Sequence, residues 1–238
     1  FEGIVILNKV CAVIPIGDLS CAKSRLSSVL SREERTKFFM AMVKDVLSAL
    51  SSCSKVQSIM VVTNDGEAAS LANSYGAAVK PEPEHPGLIQ SVTHAASLLE
   101  KAYADIMLFL PGDVPLINAE ELEAVIEGLS KSKASGLVIV PSKDFAGTNC
   151  MAISPPSAID FQFGEDSYRK HIKNARSKGI EPETLTLPGL GMDIDTPEDL
   201  VALTKTIGDE NQNLVSSSTF SYLKSSGIAE RLTKLSGI

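Results

Sequence analysis

Short apolar runs alternating with stretches of helical periodicity constrain this chain more than any other feature. Residues 10–16 (VCAVIPI), 58–63 (SIMVVT), 106–110 (IMLFL) and 136–140 (GLVIV) read as buried strands. Between the first two, Ser31 and Glu34 form an S-x-x-E capping box. Behind it Phe39, Met42, Val43, Val46, Leu47 and Leu50 recur at helical spacing. Further helices are expected over 66–75, 88–104 and 119–129, the last capped by Asn118 with Glu121 at its third position. A short strand is expected at 77–80, followed by a proline-rich loop at 81–87. Strands alternating with helices imply βαβ units. The expected fold is therefore α/β, a mostly parallel mixed sheet with helices on both faces. Ligands in such sheets bind outside the carboxyl ends of the strands.

After residue 141 the rhythm changes. A strand over 149–154, open to antiparallel pairing, precedes a polar helix over 166–178 and a strand over 184–187. Thr196, Pro197 and Asp199 start another helix, with Pro at its first position. The chain is Ser- and Asn-rich from 208 and amphipathic over 220–235. We expect a main domain over 1–207 and a helical tail over 208–238, the tail being an appended helix or a partner contact. No internal repeat is evident.

Bulk properties narrow the function classes. A chain of 238 residues can bury a full core. Its 44% hydrophobic content and positive mean hydropathy exclude a disordered chain. The net charge of −7, with no basic stretch to offset it, argues against nucleic acid as partner. The four cysteines show no C-x-x-C spacing and none of the three histidines is placed with them as a metal ligand, so no zinc site is expected. No apolar run approaches the roughly 18 residues of a membrane span. The first residues, FEGIVILNKV, lack the marks of a secretory signal, so reduced cysteines and a cytoplasmic location are expected.

Three carboxylates carry the chemistry. Asp113 sits in LPGDVPL, just past the run at 106–110, where a strand ending in a tight turn delivers it to the rim of the sheet. Asp193 and Asp195 sit in GMDIDTPEDL, two apart, so in extended chain they point to one side. Two carboxylates about 4 Å apart repel by roughly 4 kcal/mol at an effective dielectric of about 20. A divalent cation removes that penalty, and Mg²⁺ is typically held by one or two carboxylates plus substrate phosphates. The pattern points to phosphate chemistry. Blander readings stand beside it: Asp113 as a turn former, Asp195 as a charge favouring a helix dipole.

The loop over 18–28 carries Lys23 and Arg25, which suits either a solvated connection or a wrap around a triphosphate. It is not a P-loop, because G-x-x-x-x-G-K-[ST] is absent. Gly147-Thr148-Asn149 and the segment from Phe163 to Ser167, at a helix start, are candidate anion sites. His171, one turn into that helix, reads as a packed or solvated histidine; His85 and His94 carry no functional reading.

Together these segments resemble one family. AVIPIGDLSCAKSRL at 12–26, VVTND at 61–65, LPGDVPL at 110–116, GTN at 147–149, FGEDSYRKH at 163–171 and LPGLGMDIDTPEDL at 187–200 occur in this order in the 2-phospho-L-lactate guanylyltransferases of deazaflavin coenzyme F-420 biosynthesis. The resemblance runs from about residue 10 to 203, and the GTN and FGEDS pair separates this family from other nucleotidyltransferases. It implies a Rossmann-like nucleotidyltransferase fold, GTP, Mg²⁺ and a three-carbon phosphoacid, with related members using phosphoenolpyruvate. It also implies a homodimer, and a methanogenic archaeal source if the acceptor is of the lactate type. Asp113, Asp193 and Asp195 match the family's metal carboxylates, and Lys23 and Arg25 its triphosphate loop. Thr148, Asn149, Gly164 and Ser167 match the phosphoacid pocket; Ala12, Pro15 and Gly87 join Lys23 and Arg25 in the nucleotide set. Two positions depart from the pattern: Gly17 stands where Lys is frequent, and Ile89 where Asn is frequent. Those departures keep open a nucleotidyltransferase with another nucleotide or acceptor, and a non-catalytic nucleotide-binding regulator.

Overall fold

The computed structural model describes residues 9–130, 135–206 and 217–235. Seven strands form one sheet: β1 (Val10–Pro15), β2 (Ser58–Val62), β3 (Ala78–Lys80), β4 (Ile106–Phe109), β5 (Gly136–Pro141), β6 (Thr148–Ser154) and β7 (Glu183–Thr184). Their order is β3-β2-β1-β4-β6-β5-β7. The β1, β2, β3 and β4 ladders are parallel, β6 runs antiparallel to both β4 and β5, and β7 is parallel to β5. The strand expected over 149–154 therefore does pair antiparallel.

Helices cover both faces. Along β1, Val10, Ala12 and Ile14 face one layer while Cys11 and Val13 face the other. The first layer holds α1 (Arg32–Ser52), α2 (Gly66–Ser74) and α4 (Ala119–Ser130) through residues such as Val46, Ala72 and Val125. The second holds α3 (Leu88–Lys101) and α5 (Ser167–Ser177) through Val92, Leu99 and Ala175. Fully burying a Val or Leu side chain stabilises a fold by roughly 1.5–3 kcal/mol, which is what drives both layers onto the sheet.

A third apolar cluster lies beyond the sheet. The outer side of α1 (Phe38, Met42) meets Leu26, Ile194, α6 (Pro197–Thr206), α7 (Ser218–Ser225) and α8 (Ile228–Leu235). Asp45 on α1 accepts from the backbone N–H groups of Ser218 and Thr219 at 2.7 and 2.9 Å, anchoring the start of α7.

Three local expectations change. The strand expected over 184–187 contributes only Glu183–Thr184, because the chain turns away there: the Gly191 N–H donates to the Leu187 carbonyl at 2.8 Å. The loop over 18–28 contains two 3-10 turns, Leu19–Cys21 and Ser24–Ser28. The amphipathic run over 220–235 is two helices, broken where Gly227 takes φ +70°. The Ser- and Asn-rich stretch from 208 and the first eight residues lie outside the described residues.

Candidate active site

The carboxyl ends of β1 and β4 open into a cleft of about 430 Å³, lined by Gly17, Lys23, Arg25, Phe39, Asp113 and Asp195 among others. Lys23 dominates it. Its Nζ lies 2.5 Å from Asp113 Oδ2 and 2.6 Å from Asp195 Oδ1, with only 4% of the side chain exposed. Burial alone would depress its pKa, but the charges of Asp113 and Asp195 outweigh this and raise it, so the residue is an ammonium at neutral pH. Arg25 adds a looser contact, Nη1 to Asp195 Oδ2 at 3.4 Å, and is mostly exposed.

Local structure puts these groups together. Lys23 adopts the left-handed conformation (φ 52°, ψ 42°), which costs a non-glycine residue of order 1–3 kcal/mol. Neighbours hold the loop there. The Leu19 N–H donates to Asp65 Oδ2 at 3.3 Å, and Arg35 Nη1 donates to the Leu30 carbonyl at 3.0 Å. Asp113 arrives on a turn packed tightly on α1, where a Cβ at Gly112 would meet Val43 Cγ2 at 2.8 Å. A backbone bond from Ile194 N–H to the Asp113 carbonyl, 3.1 Å, joins the two acidic segments. Ile194 is buried in the third cluster, so Asp193 and Asp195 on either side of it face outward, as the two-residue spacing predicts.

Three residues that sequence reasoning did not single out for the site position its acidic segment. Glu121, buried, accepts from the N–H groups of Gly189 and Leu190 at 2.8 and 2.7 Å. Gly189 has no room for a side chain, since a Cβ would collide with the Leu116 carbonyl. Asp199 Oδ2 accepts from the Asp195 and Thr196 N–H groups at 3.2 and 2.8 Å. The T-x-x-D spacing is the signal for Asp199. For Glu121 the only hint is its place on a helix that Asn118 caps, with Asn118 Oδ1 accepting from Glu121 N–H at 2.8 Å.

The phosphoacid candidates lie on the same rim. Because β6 runs antiparallel to β4, its first residues sit at the carboxyl end of β4. Asn149 Nδ2 donates to Asp193 Oδ1 at 3.0 Å. Thr148 meets Ser167 and His171, all three buried. Gly164, at φ +102°, starts the turn into α5, and its carbonyl accepts from Ser167 N–H at 3.2 Å. Among the nucleotide candidates, Pro15 ends β1 and Gly87 precedes α3. Ala12 is not brought to the cleft: it is 0% exposed in mid-strand, paired on both sides and packed towards α1, α2 and α4.

The donor set suits Mg²⁺ in part. All three acidic side chains offer hard oxygen donors, and Asp113 Oδ1 is buried with no hydrogen-bond partner. Burial raises the Asp193 pKa, the Asn149 bond opposes this, and the Asp113 charge adds to the rise. Among the described residues no three carboxylates form a ready-made metal cluster; the Lys23 ammonium stands between two of them. The chemistry therefore fits a cation completed by substrate phosphates.

A family profile described as "Guanylyl transferase CofC like" matches residues 10–233. The chain belongs to the CofC-like guanylyl transferase family. This membership makes it a nucleotidyltransferase and sets its activity class as guanylyl transfer. Among its relatives, a phosphoenolpyruvate guanylyltransferase of Sphaerobacter thermophilus is 34% identical over 192 residues, covering 81% of this chain and 91% of that one. A 2-phospho-L-lactate guanylyltransferase of Methanobrevibacter smithii is 30% identical over 194 residues, covering 82% and 83%. A solved protein described as a nucleotide-diphospho-sugar transferase of Desulfovibrio desulfuricans G20 superposes with a TM-score of 0.75 at 17% identity, covering 94% of this chain and 98% of that one. That likeness supports the fold of this family member: a nucleotidyltransferase-type α/β sheet. Among the described residues no helix is long and apolar enough to cross a membrane.

Proposed function

We propose that this chain transfers GMP from GTP to a three-carbon 2-phosphoacid, 2-phospho-L-lactate or phosphoenolpyruvate, with release of pyrophosphate, in the assembly of the deazaflavin coenzyme F-420. One observation carries the reading: the Lys23 ammonium is locked between Asp113 and Asp195 at the carboxyl ends of β1 and β4. It puts a buried cation and two acidic side chains where such sheets bind phosphorylated ligands. Both acceptors offer a carboxylate and a phosphate on adjacent carbons, and relatives of this chain are named for each.

The step is an in-line displacement. A phosphate oxygen of the acceptor attacks the α-phosphorus of GTP. The bond from that phosphorus to the bridging oxygen breaks, and pyrophosphate leaves with the electron pair. A phosphate dianion is already a nucleophile, so the step needs no general base. Lys23 and Arg25 neutralise charge growing on the pyrophosphate, and Pro15 and Gly87 border the nucleotide. Asp113, Asp193 and Asp195 would hold Mg²⁺, which when bound screens the phosphates from one another and orients them. Thr148, Asn149, Gly164 and Ser167 receive the acceptor. The same reading includes a homodimer in the cytoplasm, and the phospholactate acceptor carries with it an archaeal source.

Pyrophosphate release from GTP with Mg²⁺, measured with the two acceptors side by side, is the test. Turnover with either is expected and names the substrate. GTP binding without turnover on either would replace this reading with another acceptor or a non-catalytic nucleotide binder.

A further inference from the structure

His171 lies in the first turns of α5 and is 0% exposed, yet both of its ring nitrogens are engaged. The backbone N–H of Gln162 donates to Nε2 at 2.9 Å. A ring nitrogen that accepts carries no proton, so the neutral imidazole holds its proton on Nδ1. Nδ1 lies 3.0 Å from Thr148 Oγ1, which makes that contact a hydrogen bond donated by the ring. Burial pushes the ring's pKa down to about 4, so this neutral form persists at pH 7. Phe163 packs edge-on against the ring at 5.0 Å between centroids and fixes its plane.

Thr148 then has its acceptor capacity filled. Ser167 Oγ donates to the same Thr148 oxygen at 3.2 Å. A hydroxyl has two acceptor lone pairs and one proton. With both lone pairs engaged, only the proton remains, and it has no acceptor among the described residues. The adjacent Asn149 donates to Asp193 Oδ1, so the start of β6, which carries Thr148, borders the acidic segment.

We propose that His171 is a positioning residue for the acceptor substrate: by donating from Nδ1 it leaves the Thr148 hydroxyl only the donor role, which an anionic oxygen of the phosphoacid fills. The inference rests on the acceptor pocket proposed above and adds to it a residue that never touches substrate. The proton arrangement also gives the pocket a sign. It offers a donor to an anion and would leave a neutral acceptor such as an ester carbonyl with a weaker bond.

Steady-state kinetics with GTP and each acceptor, on the wild type, His171→Leu and His171→Asn, test it together with ¹⁵N NMR of the histidine rings. An Asn amide nitrogen takes the place of Nδ1 and keeps the bond to Thr148. The expected result is an Nδ1–H tautomer, an acceptor KM raised about tenfold in His171→Leu with the GTP KM unchanged, and recovery of most of that loss in His171→Asn. If His171→Leu does not fold, His171→Gln replaces it: its amide reaches the Nε2 position, so Gln raises the acceptor KM where Asn does not. An Nε2–H tautomer, an acceptor KM within about twofold of wild type, or losses shared equally by both substrates and not rescued by Asn would each overturn the inference and leave the proposed activity standing. Wild-type protein inactive with both acceptors overturns the inference and the acceptor reading together.

Discussion

Asn149 Nδ2 donates to Asp193 Oδ1 across 3.0 Å, tying the start of β6 to the acidic segment ahead of α6. The pair couples the proposed acceptor pocket to the proposed metal carboxylates. Asp193 already has its pKa raised by burial, and the Asn149 bond is the larger of the two hydrogen-bond effects that oppose the rise. In Asn149→Ala the carboxyl should therefore protonate at higher pH. The acid limb of kcat/KM against pH moves upward relative to wild type, and an unmoved limb would rule out this coupling.

Gly17 lines the cleft, and a Cβ placed there meets nothing within 4 Å. Its φ lies outside the left-handed region, so a side chain adds no backbone strain. Gly17→Lys is expected to lower the GTP KM a few-fold at low salt, with the gain fading as ionic strength rises. A salt-independent KM would mean that the new ammonium does not face the triphosphate.

The buried ring of His171 makes stability depend on pH. Its folded pKa, about 4, lies below the ordinary value of 6.5. Above pH 6.5 the ring is neutral in both states. Between the two values the unfolded chain binds a proton that the folded chain refuses, so stability falls as pH falls. The loss is complete below about pH 4 and amounts to about 3 kcal/mol. Urea midpoints at about pH 7 and about pH 4.5 should differ by less in His171→Asn than in wild type.

Leu223 is fully buried in the cluster that also holds Leu26 and Ile194. Leu223→Ala should cost about 2–5 kcal/mol in denaturant unfolding and also raise the GTP KM, because Leu26 adjoins Arg25. Leu99→Ala, in the opposite layer, serves as the control: a comparable stability loss with the KM unchanged. Equal KM effects from both would remove the link between the tail helices and the Lys23 loop.

Much of this was legible in the chain because the strands and helices follow periods of two and 3.6 residues. The capping box at Ser31 and Glu34 forms with both bonds in place. Asp113, Asp193 and Asp195 were readable as rim residues because turns and alternation are local properties. What connects them is not local. Glu121 reaches Gly189 and Leu190, 68 and 69 residues away, and no period encodes such a pairing. Resemblance placed Ala12 with the nucleotide; the alternation along β1 places it in the core instead. His171 read as a packed or solvated histidine; it is packed, and its meaning lies in which nitrogen accepts from Gln162. The break at Gly227 was likewise masked by an unbroken amphipathic pattern.

The third cluster has a consequence for how the protein comes into being. A chain emerging N-terminus first completes the seven strands seen among the described residues by Thr184, with Lys23 and Asp113 made long before. Leu26 still waits for Ile194, Phe220, Leu223, Ile228 and Leu232 to cover it. The sheet can thus be finished while the Lys23 loop lacks its apolar cover, which arrives only with α7 and α8.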